Sequence, residues 1–388
     1  MLSLSAAVLA DEGMWTLDNF PKAAVQEKYS VEITDDWLQT VKRSVARLDS
    51  GCSASFISSG GLLLTNHHCA ISCISQNSSA DQDLEASGFI AMNSGEELRC
   101  PADRVSVLIE TEEITPQVVD AIGRRTGKEA GEARRKVLKR IVEECEQTSG
   151  LKCESVSLYQ GGQYWLYKYN RYDDVRLVFA PESAIAKFGG DPDNFNFPRW
   201  SLDMTMLRVY QNGEPLATPD FLQWRSDGLK PGELMFIAGR PGSTQRLLTV
   251  ADLKFLRDVT IPQWLIRAAE LRGRYIQFAM TGDEANRIVQ APLQRIENGI
   301  KVYRKRLDAL HDDNMMADKM AAERRLRAQI ANERKLAAEV GSAWDDIQRA
   351  NETYANFRDE YYFIEAGAAF GGRLFRYARS LIRAAAER

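Results

Sequence analysis

Residues 51–69 read GCSASFISSGGLLLTNHHC. Two β-type runs, SASFIS and LLLTN, flank a glycine turn, and apolar runs around such a turn predict a β-hairpin. Folding the hairpin carries Cys52 toward Cys69 and leaves His67 and His68 where the second strand ends. A histidine there can keep its ring open to a substrate while a neighbouring bridge holds its backbone. That placement suits proton transfer, which requires a fixed tautomer.

The same punctuation continues outward. The runs VSVLIE (105–110), VRLVFA (175–180), MTMLRVY (204–210) and LMFIAG (234–239) are separated by GGDPDN, QNGEP, LKPGE and GRPGS. Short strands between turn clusters predict an antiparallel barrel or sandwich. One helix is expected among them, from Pro116 to Glu146, with KVLKRIVEE as its amphipathic centre. Beyond Pro292 no proline occurs, and stretches such as MAAERRLRAQIANERKLAAEV place apolar residues three and four apart, as amphipathic helices do. The fold class expected is therefore α+β: an antiparallel β-barrel domain followed by a mainly α-helical one.

Composition excludes several function classes. The 388 residues are 44% hydrophobic and 27% charged with a net charge of -4, which is ordinary for a globular protein. No concentrated basic face points to nucleic acid. No apolar run reaches the roughly 18 residues of a membrane span. Residues 1–10, MLSLSAAVLA, read as a partial signal peptide cut after Ala10, although its basic start is missing. An apolar terminus without a targeting role is the alternative. All six cysteines lie within the first 153 residues, a clustering that suits disulfides in an exported domain. Many pairings are open to six cysteines; the expected set is Cys52–Cys69, Cys73–Cys100 and Cys145–Cys153.

Only three histidines are present: His67, His68 and His311. His311, in LDALHDDN, is expected on the surface of a charged helix. His67, His68, Cys69 and Cys73 could suggest a metal site. Adjacent histidines seldom converge on one tetrahedral ion, and no second closely spaced cysteine pair completes a set with Cys69 and Cys73, so neither metal nor other cofactor is expected. GRPGSTQR (239–246) lacks the lysine and spacing of a phosphate loop. Asp203, in RWSLDMTMLRVY, opens an alternating strand and could supply the carboxylate that fixes a histidine tautomer. The alternative for Asp203 is a strand-start carboxylate capping a turn.

The cysteine–hairpin–histidine–cysteine order resembles the trypsin-like serine peptidases. On that match His68 is the general base and Asp203 its orienting aspartate. DEGMW, TNHHC, GGDPDNFNFPRW, Asp203 and GRPGSTQR, in this order across residues 11–250, further resemble the bacterial dipeptidyl-peptidase 7 and 11 family. The resemblance implies a trypsin-type double barrel interrupted by a helical domain. The domains would then be a partial signal peptide at 1–10, the first part of the peptidase barrel at 11–255 and the start of the helical cap at 256–388. It implies release of dipeptides from peptides with a free amino terminus, through an acyl-enzyme. Asn194 and Phe195 would hold the substrate's amino group, although the family usually has tryptophan at the second position; Asn194 read alone is also a turn residue. Asn298, in IENGIKVYRKRLDAL, would be a third ligand, or a solvated helix residue.

The serine signature Gly-x-Ser-Gly does not occur in the chain. In the family that serine follows the helical domain, so the chain is expected to be a fragment, inactive by itself. The segment that distinguishes acidic from hydrophobic substrates would be missing with it. Expected partners are peptides with a free amino terminus and a second copy of the chain as a homodimer, in the periplasm or outside the cell. The contrasting expectation is a non-catalytic periplasmic peptide-binding or scaffold protein on a peptidase-like barrel.

Overall fold

The computed structural model describes residues 13–79, 81–186, 201–240, 245, 247–369 and 372–386. The leader-like residues 1–10 therefore lie outside the described residues. Two compact units divide the chain, the first holding the described residues up to 240 and the second those from 245 onward.

The first unit is built on one antiparallel sheet. Its strands are β1 (Val45–Leu48), β2 (Ser53–Phe56), β3 (Leu62–Thr65), β4 (Phe89–Ile90), β5 (Leu98–Arg99), β6 (Val105–Glu113), β7 (Lys152–Leu158), β8 (Gln163–Tyr172), β9 (Asp174–Ala180), β10 (Thr205–Gln211) and β11 (Glu214–Pro215). The spatial order is β4-β9-β10-β3-β2-β1-β6-β8-β7, with β5 on β9 and β11 on β10. β2 and β3 form the expected hairpin, Ser55 opposite Leu64, and β10 lies against β3 with Thr205 opposite Thr65.

Alternation explains why these segments are strands. Ala54 and Phe56 of β2, Leu63 of β3, and Leu207 and Val209 of β10 turn inward with Val105, Val107, Val175 and Leu177. Burying each larger side chain stabilises the fold by about 1.5–3 kcal/mol. The turn between β2 and β3 needs glycine at position 61. Its φ is +68°, and a Cβ there would stand 2.8 Å from the Val209 carbonyl oxygen.

The unit's helices are α1 (Lys22–Tyr29), α2 (Asp35–Ser44), α3 (His67–Asn77), α4 (Leu84–Ser87), α5 (Thr115–Ile122), α6 (Gly127–Ser149) and α7 (Ser183–Ala186). The single helix expected from Pro116 to Glu146 is thus two. Gly123, at φ +57°, ends α5, and α6 starts afresh at Gly127. Glycine enters positive φ at little cost, and the reversal lets Val118 of α5 and Val137 and Ile141 of α6 share one core with Tyr164 and Leu166.

LMFIAG is not a strand. Residues 234–239 have no ladder partner among the described residues, and Met235 and Ile237 are exposed. Strand propensity is realised only where a neighbour supplies backbone partners.

The second unit consists of α8 (Val250–Phe255), α9 (Ile261–Ala279), α10 (Asp283–Leu310), α11 (Asp313–Asn332), α12 (Arg334–Val340), α13 (Ala343–Glu360) and α14 (Arg373–Ala386). A reciprocal capping box between Thr249 and Asp252 starts it. Leu253, Ile261, Leu310 and Met316 form its buried centre. Among the described residues, no helix is long and apolar enough to cross a membrane.

Candidate active site

β3 ends at Thr65, and Asn66 continues extended at φ -77°, ψ 148° before α3 begins at His67. The two histidines therefore sit on the first turn of a helix rather than on a strand end. Successive helical residues point about 100° apart, so neighbours cannot share one environment. His67 turns into the core at 1% exposure, whereas the His68 side chain is 66% exposed. Only His68 is placed to meet a substrate.

The pairing of β10 with β3 brings Asp203, two residues before Thr205, alongside the start of α3. Its carboxylate is 6% exposed. Oδ2 stands 2.8 Å from His68 Nδ1, and Oδ1 accepts the His68 backbone N–H at 3.1 Å. A carboxylate on Nδ1 favours the tautomer with its proton there and frees Nε2, on the far edge of the ring, to accept one. Asn66 reaches the same residue. Its side-chain amide donates to the Asp203 carbonyl at 3.0 Å and lies 3.4 Å from Oδ2.

Two disulfides pin this corner. Cys52–Cys69 joins the start of β2 to α3 directly after His68, and Cys73–Cys100 ties the next turn of α3 to the segment after β5. Cys145–Cys153 closes the end of α6 onto β7. Cys52, His68 and Cys69 cluster closely enough to suggest a metal site, as do Cys73, Cys100 and Asp103. In each set the sulfurs are bonded to one another and offer no thiolate, which metal ligation requires. β10 is anchored further along, where buried Glu97 receives Arg208 at 2.8 Å and the Tyr210 hydroxyl at 2.8 Å. Burial, then this bond to Glu97, pushes the Tyr210 phenol above its ordinary pKa.

Asn194 and Phe195 lie outside the described residues. Asn298 is half-buried within α10 of the second unit, and His311 is exposed just past that helix. Asn66 is the contact the sequence reading did not single out. Its position directly before the histidine pair, as the last extended residue before a helix, is the signal that could have drawn attention to it.

Comparison with known proteins places the chain in a family. The family model for peptidase S46 matches residues 10–388. A dipeptidyl-peptidase 7 of Phocaeicola vulgatus is 31% identical over 270 residues, covering 63% of this chain and 37% of that protein. An Asp/Glu-specific dipeptidyl-peptidase of Shewanella putrefaciens is 30% identical, covering 65% of this chain and 37% of its own length. A dipeptidyl-peptidase 7 of Capnocytophaga gingivalis matches at 25% over 94% of this chain and 54% of its own. The chain thus spans about half the length, or less, of the curated relatives it matches. Among solved structures, Porphyromonas endodontalis DPP11 in complex with substrate superposes with a TM-score of 0.80 at 24% identity, covering 93% of this chain and 55% of that one. That likeness, at under 25% identity, concerns the fold alone.

Proposed function

The chain belongs to the peptidase S46 family, and on that premise we propose that it contributes the general base and its aspartate to a serine-type dipeptidyl-peptidase. The carrying observation is the 2.8 Å contact between His68 Nδ1 and a buried Asp203 carboxylate, with the opposite edge of the ring open. His68 Nε2 takes the proton of a serine hydroxyl as its oxygen attacks the scissile carbonyl. It then gives that proton to the departing amine, leaving an acyl-enzyme that water hydrolyses by the same route. Asp203 keeps the ring in the productive tautomer and stabilises the imidazolium that forms.

The serine and its oxyanion hole come from outside these 388 residues. Two facts support this: the chain has no Gly-x-Ser-Gly string, and its relatives are about twice as long or longer. On the same reading the peptidase barrel is expected to run to residue 255 and the helical cap from 256, while α8 (Val250–Phe255) packs with the helical second unit. By itself the chain would then bind or position groups without turning peptides over.

The substrate is a peptide with a free amino terminus, and the product is a dipeptide. On the family resemblance Asn194, Phe195 and Asn298 would hold the terminal ammonium, since amide oxygens accept its hydrogen bonds and an aromatic face suits its charge. Three disulfides suit an oxidising compartment, and the periplasm or the exterior is where such a peptidase would act.

The test is an assay of dipeptidyl fluorogenic substrates, with and without an N-acetyl block, on the protein carrying its serine-bearing segment. Turnover of free substrate, refusal of blocked substrate and loss of activity in His68→Ala support the reading. Equal turnover of both substrates would make the protein an endopeptidase instead.

A further inference from the structure

Asn66 occupies the residue that ordinarily caps a helix, yet its side chain makes no capping bond to α3. Asparagine is among the best N-cap residues because its side-chain oxygen accepts an otherwise unpaired N–H of the first turn, a contribution of about 1 kcal/mol. Here an N–H of that turn, the one on His68, is taken by Asp203 Oδ1 at 3.1 Å. Asn66 is released from its usual task and turns its amide to Asp203, donating to the carbonyl at 3.0 Å and approaching Oδ2 at 3.4 Å. A residue that departs from its local preference marks a place where another requirement dominates.

We propose that Asn66 is a positioning residue for the His68–Asp203 pair. One amide touches both the main chain and the carboxylate of Asp203, so it limits rotation of that side chain about its own backbone. With Asp203 held, Oδ1 stays on the His68 backbone and Oδ2 stays on the His68 ring. Without the amide, the carboxylate keeps the backbone bond but can swing Oδ2 away, and the ring loses the partner that selects its tautomer. The inference rests on the proposed role of His68 and Asp203, and its test separates the two ideas.

The test is nitrogen-15 NMR of the histidine rings in the full 388-residue chain, where only three histidines contribute. Asn66→Asp removes the donor while keeping the shape, and Asn66→Ser keeps a good helix cap but shortens the reach. A helix-capping role alone would leave the Ser variant unchanged. In the parent chain His68 should show a protonated Nδ1 and an unprotonated Nε2. Both variants should lose that signature, giving a mixed population or one dominated by protonated Nε2, while His67 and His311 keep theirs. Asp203→Asn is the reference. If it alters the His68 tautomer and both Asn66 variants leave it as in the parent, the inference about Asn66 fails and the pair survives. If the parent chain lacks the Nδ1–H form, or Asp203→Asn leaves it untouched, the pairing and the inference fail together. Should Asn66→Asp not fold, the Ser variant decides alone.

Discussion

Asp203 holds His68 at two points, accepting its backbone N–H at 3.1 Å and lying 2.8 Å from ring Nδ1. One carboxylate thereby fixes both where the helix starts and which edge of the imidazole is presented. The arrangement makes Asp203 the more informative residue to alter, because its shape can be kept while its charge is removed. Asp203→Asn should lower kcat by about 10³–10⁴-fold, through the wrong tautomer, with a much smaller change in KM. Steady-state kinetics on the serine-bearing protein checks this, and a loss confined to KM would assign Asp203 to binding.

The free amino terminus should govern binding. If Asn194, Phe195 and Asn298 hold the substrate's ammonium, replacing Asn194 by Ala should raise KM for dipeptidyl substrates about tenfold or more, since a charge-assisted hydrogen bond contributes about 1.5–3 kcal/mol. A titration of rate against substrate concentration reads this directly. An unchanged KM would return Asn194 to an ordinary turn residue.

The Cys52–Cys69 bridge should stabilise the first unit. It closes a loop of separation 17 and joins β2 to the residue after His68. Replacing both cysteines by alanine should cost about 2–4 kcal/mol in a urea titration. A midpoint indistinguishable from the parent would mean that hairpin and core packing already hold this corner.

Gly61 is a second structural constraint. Alanine there would combine a positive φ with a Cβ only 2.8 Å from the Val209 carbonyl. Gly61→Ala should destabilise by at least about 2 kcal/mol, read as a lowered urea midpoint. Tolerance of alanine would mean that the turn can relax away from β10.

Asp103 gives a pH signature. Burial raises its carboxyl pKa, the nearby Asp49 charge raises it further, and Arg104 opposes both. With the folded value above the unfolded one, the folded state binds more protons between them. Stability therefore falls as pH rises through that interval: the penalty is absent below the unfolded pKa and complete above the folded one. Asp103→Asn should be more stable than the parent at neutral pH, with the difference shrinking on acidification toward pH 3.8, the ordinary aspartate value. A difference that stayed constant with pH would exclude ionisation as its cause.

Much of this was legible in residues 51–69, because a hairpin is a local object: two runs, a glycine turn and flanking cysteines. The helical second unit was legible for a similar reason, through helical spacing and the end of proline. Less visible was whatever depended on a distant neighbour. LMFIAG has the composition of a strand, but composition does not state whether a partner lies beside it. Gly123 gave no sign that the chain would reverse there, since a glycine inside a helical pattern is often tolerated. Asn66 lies 137 residues from Asp203, and only the β3–β10 register brings the two together.

Mass spectrometry of the products formed from an unblocked peptide, by the serine-bearing protein and by its His68→Ala variant, tests the role of His68 in dipeptide release. The parent should release successive dipeptides from the amino terminus, and the variant none. Internal cleavage products, or dipeptides still released when His68 is alanine, would contradict it.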